Sequence, residues 1–168
     1  MIRRWLAGTA AFLVAVALVG CTAPEKEVPM DQKSLTWEEA KTATQATELE
    51  IADLVPAEYV VSIVQKPTGT LFSCDDGKHT WYGSTTIALT PDADAEQIVR
   101  TLESQFREDE RFDVRNRRDV VDEYEIQLMS PDTAETYVIG PDGAAALLIS
   151  SGSPCFTLPE DVYPGGKF

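Results

Sequence analysis

A period of two is the strongest constraint on how this chain folds. From His79 to Leu89, Trp81, Gly83, Thr85, Ile87 and Leu89 fall on one side, and Tyr82, Ser84, Thr86 and Ala88 on the other. That spacing suits a β-strand with one face to bury. The period returns where Phe112 and Val114 alternate with Asp113 and Arg115, and where Tyr124, Ile126 and Leu128 alternate with Glu125 and Gln127. Tyr137 to Ile139 and Ala144 to Ile149 complete the set. Ser130-Pro131-Asp132-Thr133 and Pro141-Asp142-Gly143 are turn formers too short for a parallel crossover, so these strands should form an antiparallel meander.

Two segments break the period. In Thr36 to Leu54, Thr36 can cap a helix with Glu39 as its capping-box partner, and Trp37, Ala40, Thr44, Thr47, Ile51 and Leu54 share a stripe. Val55-Pro56 ends it, because the residue before proline is pushed out of the helical region. A second helix should run from about Asp94, its N-cap, to Arg107, with Gln97 completing a capping box and Ile98, Val99, Leu102 and Phe106 buried. Between them, Tyr59 to Gln65 and Thr70 to Ser73 flank the turn Lys66-Pro67-Thr68-Gly69 and read as a hairpin, with a short helix over the Tyr59 run as the alternative. Asp75-Asp76-Gly77-Lys78 is a further turn signal. The expectation is a single α+β domain over residues 36–168. Its antiparallel sheet has about five to seven strands with one or two packed helices.

Charge excludes several classes of function. The 168 residues carry 14 Lys and Arg against 28 Asp and Glu, a formal net charge of −14. A general nucleic-acid binder needs a basic footprint, and adhesion to anionic lipid heads needs one too. Neither is present, so no nucleic-acid partner is expected.

The beginning of the chain has its own order. Arg3 and Arg4 precede a nearly continuous apolar run from Trp5 to Val19, then Leu18-Val19-Gly20-Cys21 and the polar Thr22-Ala23-Pro24. The apolar run is short for a membrane-spanning helix and suits a secretory signal. This arrangement resembles the lipobox signal peptide of bacterial lipoproteins. The resemblance implies that residues 1–20 are a signal peptide cut after Gly20. It also implies that Cys21 becomes the new N-terminus, with a diacylglycerol thioether and usually an amide-linked chain of the palmitate type. The partner so implied is the membrane, reached through covalent lipid, on its extracytoplasmic side. Residues 21–35 then read as the lipidated N-terminus and a flexible, polar, Pro-containing tether. An uncleaved signal anchor, or an ordinary signal with a chance cysteine, is the competing reading.

If Cys21 carries lipid, Cys74 and Cys155 remain as a pair in an oxidising compartment, and a structural disulfide is the economical reading. Two free thiols are the alternative. The contexts Phe-Ser-Cys-Asp and Ser-Pro-Cys-Phe fit neither a CxxC redox motif nor a zinc knuckle. Around Cys74 and in Ser153-Pro154-Cys155-Phe156 the chain also resembles small actinobacterial lipoproteins, a likeness that implies no particular activity.

Candidate chemistry is thin. His79 near Asp75 and Asp76 lacks a nucleophile elbow, and a triad needs three convergent groups, so no catalytic residue is expected. Asp92, Asp94, Glu96 and Glu103 echo a calcium loop, but Gln97 stands where the loop needs glycine, and no metal site is expected. No phosphate-cradling or dinucleotide fingerprint appears, so no cofactor is expected. Trp81, Tyr82 and Phe72 are either a ligand cleft or core. Arg100, Arg107, Arg111, Arg115, Arg117 and Arg118 gather in one stretch. Arg107, Arg111, Arg115, Arg117 and Arg118 are the candidate anion or partner patch. Because Glu103, Glu108, Asp109, Glu110 and Asp113 lie among them, a solvated, self-neutralised face is the other reading. The expected function is that of a lipid-anchored cell-envelope protein with a non-enzymatic binding or accessory role. Its partner would be another envelope protein or a ligand. A small-ligand carrier with a pocket between helix and sheet is the alternative.

Overall fold

The computed structural model describes residues 35–74 and 77–168. Helix α1 (Trp37–Asp53) and helix α2 (Ala95–Phe106) pack against a seven-stranded antiparallel sheet. Its strands are β1 (Val60–Gln65), β2 (Thr70–Ser73), β3 (His79–Leu89), β4 (Asp113–Arg118), β5 (Tyr124–Met129), β6 (Thr136–Pro141) and β7 (Ala146–Gly152). The spatial order is β1-β3-β7-β6-β5-β4, with β2 also paired to β3. This is the expected α+β architecture. The signal peptide, Cys21, most of the tether, Asp75 and Asp76 lie outside the described residues.

The helices begin where their caps put them. Thr36 accepts from the Glu39 N–H while the Glu39 carboxylate takes the Thr36 N–H, a complete capping box. Asp94 accepts from the Gln97 N–H, so of the second box the Asp94 half is formed. Turn chemistry closes the meander: Gly143 takes the left-handed conformation (φ +67°) between β6 and β7, and Ala134 takes it (φ 60°) between β5 and β6. Strands β4 to β7 pair in chain order, as their short links require.

One expectation fails. The Tyr59 and Thr70 runs are both strands, but they do not form a hairpin. Residues Val60–Gln65 pair with Thr85–Leu89, whereas Thr70–Ser73 pair with His79–Tyr82. They lie end to end along one side of β3. The reason is length: β3, at eleven residues, offers pairing sites for both short strands. Lys66-Pro67-Thr68-Gly69 crosses from one to the other instead of reversing the chain.

Both helices cover the same face of the sheet. The main core gathers Ile51, Ile87, Leu102, Ile126, Ile139, Leu147 and Ile149 among others, from both helices and from β3 through β7. A second core closes the far end, where Trp81 is fully buried with Ala40, Phe156 and Phe168. Its indole N–H donates to the Phe168 carbonyl at 3.3 Å, and Trp37 meets the Phe168 ring edge-on. Gly83 sits directly under the Trp81 ring, where any Cβ would overlap it, so the indole lies flat because this residue has no side chain.

The Cys74–Cys155 disulfide ties the end of β2 to the segment after β7, with a Cα–Cα distance of 6.2 Å across a separation of 81 residues. His79 and Phe156 exchange backbone hydrogen bonds of 2.9 and 2.8 Å beside it.

Candidate functional site

Three places in the fold collect polar or exposed groups. The first lies inside. Glu48 projects from the buried side of α1, fully excluded from solvent. Its carboxylate accepts from Thr85 Oγ1 at 2.7 Å, from Gln65 Nε2 at 2.8 Å and from the Ser151 hydroxyl. Three strands thus converge on one acid, and every donor is neutral. Nearby, the Tyr137 hydroxyl is buried with no partner at hydrogen-bonding distance. Burial pushes its phenol well above the ordinary value, with the Thr47 and Thr44 hydroxyls close by. The stripe expected for α1 omitted Glu48 and included Leu54, which is exposed while Val55 is buried. A glutamate among apolar neighbours at helical spacing is the signal that could have found it. Enclosure makes this cluster a structural device: it fixes α1 on the sheet and offers no mouth to a ligand.

The second is the arginine stretch. Arg107 bonds Glu103 at 2.6 Å, and Arg111 bonds Asp109 at 2.9 Å and Glu50 at 3.2 Å. Arg117 pairs with Glu125, directly opposite on β5. Arg118 and Arg100 share Glu96 and lie over the Tyr124 ring, at 5.5 and 3.8 Å from its centre. Arg115 is exposed on β4. Burial alone would raise the Glu103 carboxyl, but bonds from Tyr124, Asn116 and Arg107 outweigh it and hold the group below the usual carboxylate range. Arg111 similarly holds Asp109 down. Apart from Arg115, these guanidinium groups are taken up by carboxylates of the same chain. Chemically this is an ion-paired seam joining α2 to β4 and β5, with little capacity left for an outside anion.

The third is the outer face of the sheet, which neither helix covers. On β3 it presents Tyr82, Ser84, Thr86 and Ala88; on β7 Leu148 and Ser150; on β6 Val138. None of the positions facing outward on these three central strands is charged, in a chain of net charge −14. Charge appears only towards β5 and β4. At the β2 end of this face lies an open groove of about 560 Å³, whose lining includes Phe72, Tyr82, Leu148 and Ser150 together with Lys66 and Lys167. Phe72 is 55% exposed and Tyr82 41%, their rings edge-to-face at 5.0 Å. No acidic side chain lines the groove.

The aromatic trio therefore divides. Trp81 is core, whereas Phe72 and Tyr82 lie outward, because successive residues of a strand take opposite faces. Among the described residues, the layer between helices and sheet, where the alternative carrier reading would put its pocket, holds the main core and the Glu48 cluster. A smaller cleft of about 160 Å³ opens beside Pro56, Tyr59, Asp94 and Ile98, at the start of α2. His79 is half-buried at the start of β3, its Nδ1 buried without a hydrogen-bond partner, which is not how a base is oriented for catalysis. Among the described residues no three metal-ligating side chains gather, and no helix is long and apolar enough to cross a membrane. No family model, curated protein or solved structure matches the chain.

Proposed function

We propose that this protein is a lipid-anchored, extracytoplasmic component of a bacterial cell envelope. It holds a partner on the open face of its sheet and carries out no chemistry of its own. The anchor is Cys21, exposed by removal of residues 1–20, and the membrane partner is reached through its lipid. The domain docks by Phe72, Tyr82 and the uncharged strip of β3, β7 and β6.

The observation that carries the docking reading is that strip. A soluble acidic domain ordinarily dilutes its surface with charge, and a contiguous uncharged face with exposed aromatics marks an interaction surface. The two lysines that line the groove favour a partner segment with apolar side chains and a carboxylate. The disulfide supports an oxidising location.

The test has two arms, one for place and one for contact. Cys21→Ser should leave an unprocessed precursor or release the domain from membranes; unchanged mass and partitioning would refute the anchor. A photo-crosslinking phenylalanine analogue at position 82 should give a discrete adduct in intact cells, lost on Phe72→Ala. The same analogue at Val121, exposed in the β4–β5 turn, should give none. No adduct at 82, or an identical one at 121, would refute docking on this face.

A further inference from the structure

We propose that the partner segment seated in the groove at Phe72 and Tyr82 is a proline-rich polypeptide, lying as an extended polyproline helix with an acidic side chain beside it. The inference rests on the docking reading and names the chemistry of its occupant.

The lining is rich in donors and holds no carboxylate. The hydroxyls of Thr70, Tyr82, Ser84 and Ser150 have no hydrogen-bond partner among the described residues, whereas the inward hydroxyls of Thr85 and Ser151 donate to Glu48. Ser84 and Ser150 stand directly opposite each other on β3 and β7. Lys66 and Lys167 have no carboxylate partner among the described residues either. In the same fold Arg100, Arg107, Arg111, Arg117 and Arg118 all have one. At about 0.15 M salt the Debye length is about 8 Å, so acids farther off are screened and these two ammonium groups set the local sign.

That inventory fits a chain that offers acceptors and few donors. Proline has no N–H, and a polyproline helix has no internal hydrogen bonds, so its carbonyls take donors from outside. An ordinary extended segment would bring an N–H with every carbonyl, and the floor of the groove has no open strand edge to receive it. There β3 and β7 are each paired on both sides. At the β2 end, Gly69 donates its N–H to the Phe168 carbonyl at 2.6 Å, and its carbonyl accepts the Phe168 N–H at 3.2 Å, so the chain entering β2 is already bonded. Only the four residues of β2 follow.

The two rings supply the matching shape. Tyr82 lies across Gly152, where an added Cβ would come within 3.1 Å of Tyr82 Cε2. Phe72 stands at 73° to it, with ring centres 5.0 Å apart. This is a notch with two walls, which suits the compact pyrrolidine ring that polyproline segments present to aromatic-lined grooves. A sugar stacks on one flat, open ring face and brings hydroxyl donors of its own, so the notch and the donor-rich lining favour the peptide. The two lysines then take the acidic side chain.

The experiment uses the protein extracted from its native membranes in detergent, with fluorescein-labelled peptides of about nine residues, about 28 Å long in this conformation. A peptide of prolines with two glutamates should bind saturably. Replacing its prolines by alanine, or its glutamates by lysine, should weaken binding at least tenfold. Phe72→Ala should do the same, as should Lys66→Glu combined with Lys167→Glu, in variants that melt at the wild-type temperature. Lys78→Glu, exposed and outside the lining, should change binding less than twofold. Equal binding of the alanine peptide would overturn the proposal. So would saturable binding of alginate that Phe72→Ala abolishes, which would assign the groove to a glycan. No peptide binding at millimolar concentration, beside a cellular adduct at position 82, would overturn the proline-rich occupant alone; the absence of both would overturn docking on this face as well.

Discussion

Glu48 shows at the level of one residue how the core was made specific. A buried carboxylate costs several kcal/mol in desolvation unless its oxygens are satisfied, and here Thr85, Gln65 and Ser151 satisfy them. Glu48→Ala leaves those donors unpaired beside a cavity and should cost about 3 kcal/mol in urea unfolding. Glu48→Gln keeps one acceptor oxygen, and the hydroxyls can turn to accept from its amide, so the loss should be about 1 kcal/mol. Equal losses for the two variants would show that the carboxylate is not the organising group. At Glu103 the sign of the pKa shift sets a pH dependence. A carboxyl held below its ordinary 4.5 contributes stability that is present above that value and is lost as pH falls through the folded pKa. Asp109 and Glu96 act in the same sense. Glu135, raised by burial, acts oppositely: its contribution lies below 4.5 and fades as pH rises through its folded pKa. Unfolding midpoints measured from pH 7 to 3 should therefore fall on the acid side, and Glu103→Gln should flatten that fall. An acid limb of unchanged slope in the variant would contradict the assignment.

Among the elements, what could be read in advance was whatever has a local cause. The Thr36 and Asp94 caps, the eleven-residue alternation of β3, and the Pro141-Asp142-Gly143 turn each act within a few residues, and each stands where expected. The partnership of β1 and β2 has no local cause. Lys66 to Gly69 looks like a turn, yet whether it reverses the chain depends on how much of β3 is free to pair. Helix α1 shows the same limit: its stripe was found by apolar spacing, and a buried glutamate counts against that pattern until three strands supply donors. The candidate site escaped for a similar reason. Trp81, Tyr82 and Phe72 gave two readings, cleft or core, and only the placement of both described helices on one face separates Trp81 from the two outward rings. The arginines, by contrast, gave both readings at once, and the ion pairs at Glu96, Glu103, Asp109 and Glu125 favour the self-neutralised one.

At the scale of the molecule, two layers and one covalent tie set stability. The disulfide spans a separation of 81 residues and joins the link between β2 and β3 to the segment after β7. On the chain-entropy view that is worth about 4–5 kcal/mol, less any strain or residual structure in the unfolded chain. Cys74→Ser with Cys155→Ser should lower the melting temperature by well over 10 °C; a shift of only a degree or two would mean the two layers hold the fold alone. Both described helices lie on one side, and the outer face is the one on which we propose docking. The most direct measurement is the intact mass of the protein extracted from its native membrane. The lipid-anchor account predicts a chain that starts at Cys21, carries acyl lipid on that residue and holds Cys74 bonded to Cys155. A chain that keeps Met1 at the full 18.4 kDa, with an unmodified thiol at Cys21, would contradict it.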